Sequence, residues 1–172
     1  MSGTQPIRIL YVGDLIWWGT CLQRCRALEE LGCIVESLNI YQNVDMKRQI
    51  SILPRVMRKL GLPLDLASVN HAIVTALQKT PFDILWFDKA LLIRPDTLRA
   101  AKRLQPACKI VGYSPDDMYG KHNQSRYFLQ HLPLYDIFFT TKSYGVEELK
   151  KMGCKQPVFL SLIHISEPTR PY

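Results

Sequence analysis

The apolar positions of this chain fall into short runs and helical periodicities that alternate along its length. Residues 7–12, Ile-Arg-Ile-Leu-Tyr-Val, follow a polar start and stop at Gly13-Asp14. A largely continuous apolar run of this kind reads as a strand buried on both faces of a sheet. From Thr20 onward, Leu22, Cys25, Leu28 and Leu31 recur at three-residue steps, and Gly32 follows where a helix terminator belongs. Residues 33–38 then read as a second strand. The alternation continues with helix 66–77, a break at Pro81-Phe82-Asp83, strand 84–87, and helix 97–104 opened by Pro95. Strand 109–113, helix 124–131, strand 137–140, helix 146–152 before Gly153 and a strand from 157 complete the series. Strands alternating with helices predict an α/β fold: an open, mostly parallel, Rossmann-like sheet with helices on both faces and right-handed crossovers.

Composition narrows the class. With 47% hydrophobic, 22% charged and 10% aromatic residues in 172, the chain is globular and of one-domain length, not disordered, collagenous or coiled-coil. No apolar run reaches the ~18 residues of a membrane span, and residues 1–5 carry no secretory pattern, so a cytoplasmic location is expected. The excess of 22 Lys and Arg over 15 Asp and Glu favours anionic partners without choosing among them. It is not interleaved with a nucleic-acid-binding motif, so no nucleic-acid partner is expected. The five cysteines include no C-x-x-C, and buried or half-buried free thiols are the plain reading. Cys21 and Cys25 share a helical face, but without further ligands at metal spacing no metal site is expected.

Open α/β sheets bind ligands beyond the carboxyl ends of their strands, and the unusual residues collect there. Gly13 and Gly19 bracket the first loop, where backbone can approach a ligand closely. Asp14 follows the strand, and Thr20 opens a helix whose start favours an anion. The loop is not G-x-G-x-x-G, and Ser37-Leu38-Asn39 offers no acidic residue, so NAD is poorly supported and no cofactor is expected. Trp17 and Trp18 read either as one ring packed under the loop or as an aromatic platform. Asp88-Lys89 reads as an ion pair or as a ligand contact. Ser114-Pro115-Asp116-Asp117-Met118, followed by His122-Asn123-Gln124-Ser125-Arg126, is the densest polar stretch. An Asp placed there can accept a proton from an alcohol or orient a hydroxyl; the alternative is that one Asp caps the next helix or turn. After the fifth strand, Thr141 and Lys142 suit a phosphate or sugar, while Ser143 reads as a helix N-cap.

Four of these stretches, in order, resemble one family. Residues 7–12 with Gly13-Asp14 and Trp17-Trp18-Gly19-Thr20, Asp83-Ile84-Leu85-Trp86-Phe87-Asp88-Lys89, Tyr113-Ser114-Pro115-Asp116-Asp117-Met118 with His122-Asn123-Gln124-Ser125-Arg126-Tyr127, and Thr140-Thr141-Lys142-Ser143-Tyr144 are similar to CgeB-type, spore-maturation-protein-like glycosyltransferases. The resemblance implies the N-terminal, acceptor-side domain of a GT-B fold, with Asp116 or Asp117 catalytic and transfer from a nucleotide sugar without a metal. The implied donor-binding half has no counterpart here. Residues 160–170, Leu-Ser-Leu-Ile-His-Ile-Ser-Glu-Pro-Thr-Arg, match the conceptual translation of a transposase-derived sequencing adapter. The expected organisation is therefore one domain over 1–159 and a non-native tail over 160–172, with His164 outside the candidates.

One further segment stands apart. Over 46–60, Ile50, Leu53, Val56, Met57 and Leu60 share one side at helical spacing, and Lys47, Arg48, Arg55, Arg58 and Lys59 share the other. This reads either as a helix packed on the sheet with a solvated basic face, or as peripheral contact with an anionic membrane. Two function classes emerge: the acceptor half of a glycosyltransferase acting on an unknown acceptor, and a non-enzymatic, response-regulator-like binding module. The second calls for an acidic cluster after the first strand, where Asp14 stands alone.

Overall fold

The computed structural model describes residues 5–45, 51–118, 120 and 123–161. Strands β1 (Arg8–Gly13), β2 (Ile34–Asn39), β3 (Ile84–Asp88), β4 (Lys109–Ser114), β5 (Ile137–Thr140) and β6 (Pro157–Phe159) form one sheet in the order β2-β1-β3-β4-β5-β6. All five pairings are parallel. The connecting helices are α1 (Thr20–Glu30), α2 (Ile52–Lys59), α3 (Val69–Lys79), α4 (Pro95–Leu104), α5 (Arg126–His131) and α6 (Gly145–Lys151). The chain thus forms the expected Rossmann-like α/β sheet. Its topological switch point lies between β1 and β3, because β2 sits on one side of β1 and every later strand on the other.

Alternation along the strands sorts the two faces. Leu10, Val12, Leu85, Phe87, Ile110 and Phe138 pack against Ile73 and Leu77 of α3, Leu98 of α4, Phe128 of α5 and Leu149 of α6, all buried. Ile9 and Tyr11 point the other way, onto Cys25 and Leu28 of α1. On that face Trp86 stacks between Tyr11 and Tyr113, with ring centroids 6.3 and 6.4 Å apart, and reaches Phe139 at 5.9 Å. Gly32 ends α1 as the sequence suggests: at φ +87°, a left-handed geometry that a side chain disfavours, it lets its own N–H and that of Cys33 bond Glu29 and Leu28 carbonyls.

The amino-terminal edge of the sheet is tied by side chains that answer backbone groups. Asp83 accepts from the Arg8 amide at 2.8 Å, and Asp136 from the Ile110 amide at 2.7 Å and from Lys102 at 2.5 Å. Lys102 and the Ile110 amide, bonding Asp136, outweigh its partial burial and hold its carboxyl below the usual range. Gln105 bonds the Leu77 and Thr80 carbonyls at the end of α3 and accepts from Phe82. These bonds close the end of the sheet opposite the expected site.

The segment around α2 is helical, as one reading required, but it does not pack as that reading expected. Pro54 is tolerated because it falls in the first turn, where no N–H donor is needed. None of α2 is fully buried, and Ile52, Leu53, Val56 and Leu60 are exposed. Lys47 and Arg48 lie outside the described residues. No helix among the described residues is long and apolar enough to cross a membrane. The five cysteines are free thiols, three of them buried.

His131 closes α5 at 0% exposure, edge-on to Tyr135. Burial drives its pKa from 6.5 down to about 4, against the opposing effect of the Ile93 backbone. Below pH 6.5 the unfolded chain takes up a proton that the folded chain refuses until about pH 4. Stability from this group is therefore complete above pH 6.5 and falls by ~3 kcal/mol as pH drops to 4. Denaturant unfolding across that range should show the slope, and His131→Leu should flatten it.

Candidate functional site

The site is built where β1, β3 and β4 end. Asp88, the last residue of β3, is 1% exposed, and a carboxylate can stand there only if donors replace the lost water. Arg24, on the second turn of α1, supplies a bidentate pair: Nε donates to Oδ2 at 2.6 Å and Nη2 to Oδ1 at 3.0 Å. The Tyr11 hydroxyl donates to Oδ2 at 2.5 Å and lies 3.0 Å from the Cys21 carbonyl. The Arg24 guanidinium also sits 4.4 Å over the Tyr113 ring. Gly13 makes room for this group, since a Cβ there would stand 3.2 Å from that of Asp88. The network sets the local electrostatics. Burial and then the Asp88 charge raise the Tyr11 phenol and push the Cys21 thiol up to about 11, so neither ionises near neutrality. Partial burial alone would lower the Arg24 pKa; Asp88 overrides it and raises it.

Beyond the network opens a cleft of about 700 Å³ at the switch point, lined by Asp14, Thr20, Arg24, Tyr41, Asp88 and Lys89 together with Arg58 and Lys59 of α2. That is where an open α/β sheet holds its ligand. Asn39 shapes one wall: its side-chain oxygen accepts from the Tyr41 amide at 3.0 Å and from the Leu15 amide at 3.4 Å. The loop after β3 forms another wall and is pinned from behind by buried Asn70, which bonds the Arg94 amide, Thr97, Asp65 and the Leu92 carbonyl. Lys89 has a left-handed backbone (φ 47°) and pairs with Asp116. Arg58 and Lys59 make no ion pair among the described residues.

The predicted residues divide. Asp14, Thr20, Asp88 and Lys89 come together in the cleft, and Asp116 joins through Lys89. Gly13 and Gly19 serve the fold: Gly13 clears Asp88, and Gly19 closes a turn through its amide bond to Ile16. Neither tryptophan packs under the loop, contrary to one expectation. Trp17 and Trp18 are 79% and 59% exposed and meet edge to face at 4.9 Å, outside the lining of the cleft. Ser114 is buried and accepts from the Asp116 amide. Asp117 is half-buried and does not line the cleft; its carbonyl accepts from Asn123.

Helix capping also differs from expectation. Ser125, not an Asp, caps α5, accepting from Phe128 while its hydroxyl donates to the Leu91 carbonyl. Ser143 is exposed and does not cap α6; Tyr144 precedes that helix without a side-chain cap, and the Gly145 and Val146 amides bond the Lys142 and Ser143 carbonyls instead. Thr141 bonds the Pro115 carbonyl, and neither it nor Lys142 lines the cleft. The Arg126 side chain is exposed, while its amide holds the Gly61 carbonyl. His122 lies outside the described residues. Arg24, Tyr11 and Tyr41 were missed. Arg24 had a signal, since it falls one helical turn after Thr20 and on the same face.

No protein-family model matches the chain, and no curated protein matches it. Among solved structures, a protein of Burkholderia pseudomallei described as pilus assembly-related is similar, at 15% identity and a TM-score of 0.39 over 87% of this chain and 92% of that one. A likeness of that size carries no functional argument.

Removing Arg24 should strand the Asp88 charge. Arg24→Ala is expected to cost about 3 to 5 kcal/mol in denaturant unfolding, and Arg24→Met with Asp88→Leu should recover much of that loss.

Proposed function

We propose that this chain is the acceptor-side domain of a GT-B glycosyltransferase and that the switch-point cleft holds the acceptor. The observation that carries the reading is the cleft's chemistry. A carboxylate (Asp14), a hydroxyl (Thr20), a phenol (Tyr41) and cations (Lys89, Lys59) surround a space of saccharide size. Three of the stretches that resemble the family meet in it, through Asp14 and Thr20, Asp88 and Lys89, and Pro115 with Gln124 and Ser125, which supports the reading further.

In this reading Lys89 holds Asp116 beside Pro115, a lining residue. Asp116 accepts the proton of the acceptor hydroxyl as its oxygen attacks the anomeric carbon. The bond from that carbon to the donor phosphate breaks, and the nucleoside diphosphate departs with the electron pair. The donor itself belongs to a second domain, and none of these steps calls for a metal. The response-regulator-like alternative gains nothing from the site, because both oxygens of Asp88 are already engaged by Arg24 and Tyr11.

Titration of the 15N-labelled 172-residue chain with neutral and anionic mono- and disaccharides tests this directly. Amide shifts of Thr20, Cys21, Tyr41 and Lys89 are expected, and Lys89→Met should weaken them. Shifts confined to the opposite edge, around Asp83 and Gln105, or none at all, would remove the cleft as an acceptor site.

A further inference from the structure

Each of the other helices buries at least one residue, and α2 buries none. Ile52, Leu53, Val56 and Leu60 are 81%, 63%, 46% and 51% exposed, while only Pro54 and Met57 are half-buried. At about 100° per residue, the four exposed residues share one arc and Arg55, Arg58 and Lys59 the arc beside it. An eight-residue helix is marginal in water without tertiary burial, so α2 gains from any surface that covers its apolar arc. Residues 51–60 contain no Asp or Glu, so the complementary surface is anionic.

A second feature lies at the same end of the sheet. Trp17 and Trp18 project from the loop joining Asp14 to Thr20, and both of those residues line the cleft that Arg58 and Lys59 also line. Tryptophan favours the headgroup level of a bilayer, where its apolar ring and N–H are both accommodated. Cations beside an apolar row suit the same boundary, with aliphatic stems buried and charges at the phosphates.

We infer that α2, together with the Trp17-Trp18 loop, is a peripheral docking surface for an anionic lipid bilayer and brings the mouth of the cleft to that surface. Ile52, Val56 and Leu60 enter the acyl boundary, and Arg55, which does not line the cleft, engages lipid phosphates. The inference stands whether or not the cleft takes a saccharide, because it rests on the outer side of α2.

Co-sedimentation of the 172-residue chain with vesicles tests it, using phosphatidylcholine alone and phosphatidylcholine with an equal part of phosphatidylglycerol. Binding to the anionic vesicles only is expected, weakened by salt and accompanied by a blue shift of tryptophan emission. Ile52→Ser with Val56→Ser should weaken binding by about tenfold or more with the melting temperature unchanged. Equal binding by that variant would mean adsorption through net charge alone and would overturn the proposal, as would no binding at all. Sedimentation velocity tests a second copy of the chain as the occupant. A dimer that the double substitution dissociates, without vesicle binding, would assign the face to a second copy of the chain instead.

Discussion

A single buried carboxylate governs the carboxyl end of this sheet. Asp88 ends the strand beside the switch point, where burial would be prohibitive for an unanswered charge. Two N–H groups of Arg24 and the Tyr11 hydroxyl answer it. Those partners come from α1 and β1, and Tyr113 of β4 lies under the guanidinium. One side chain therefore fixes how the first helix sits against three neighbouring strands. Gly13 belongs to the same constraint, since a larger residue would crowd Asp88.

From that fixed point the cleft follows. With α1 held, Thr20 and Asp14 face the loop after β3, and Asn70 pins that loop from behind. The buried charges are matched against each other and serve position. Lys59 and Arg58, which make no ion pair among the described residues, line the cleft and can meet a ligand there. Lys89 stands between the two groups: its strained backbone turns the chain out of β3, and its ammonium holds Asp116.

The sheet was readable in the sequence for a physical reason. Inner parallel strands buried on both faces need short apolar runs, which mark β1, β3, β4 and β5. The edge strands β2 and β6 are largely uncovered and were placed by the helix–strand alternation instead. Glycine at the ends of α1 and α6 was readable for its left-handed geometry. The site was harder. Arg24 and Asp88 lie 64 residues apart, and no local pattern pairs them. Asp88 could be placed at a strand end but not sorted into positioning or binding, because that depends on burial. Trp17 and Trp18 misled for a related reason: large rings favour burial, yet Leu15 of the same loop packs on the core while both rings stay exposed. For α2, periodicity identified an apolar arc and a basic arc but could not say whether the body covers the first. It does not.

The central claim is that the Asp88 network holds the cleft in shape, and amide hydrogen exchange in Asp88→Asn tests it most directly. Faster exchange is predicted at Ile40, which bonds the Gly13 carbonyl, at Lys89, which bonds the Tyr113 carbonyl, and in the first turns of α1, with β4 and β5 unchanged. Unaltered protection at those amides, with the variant fully folded, would contradict the account.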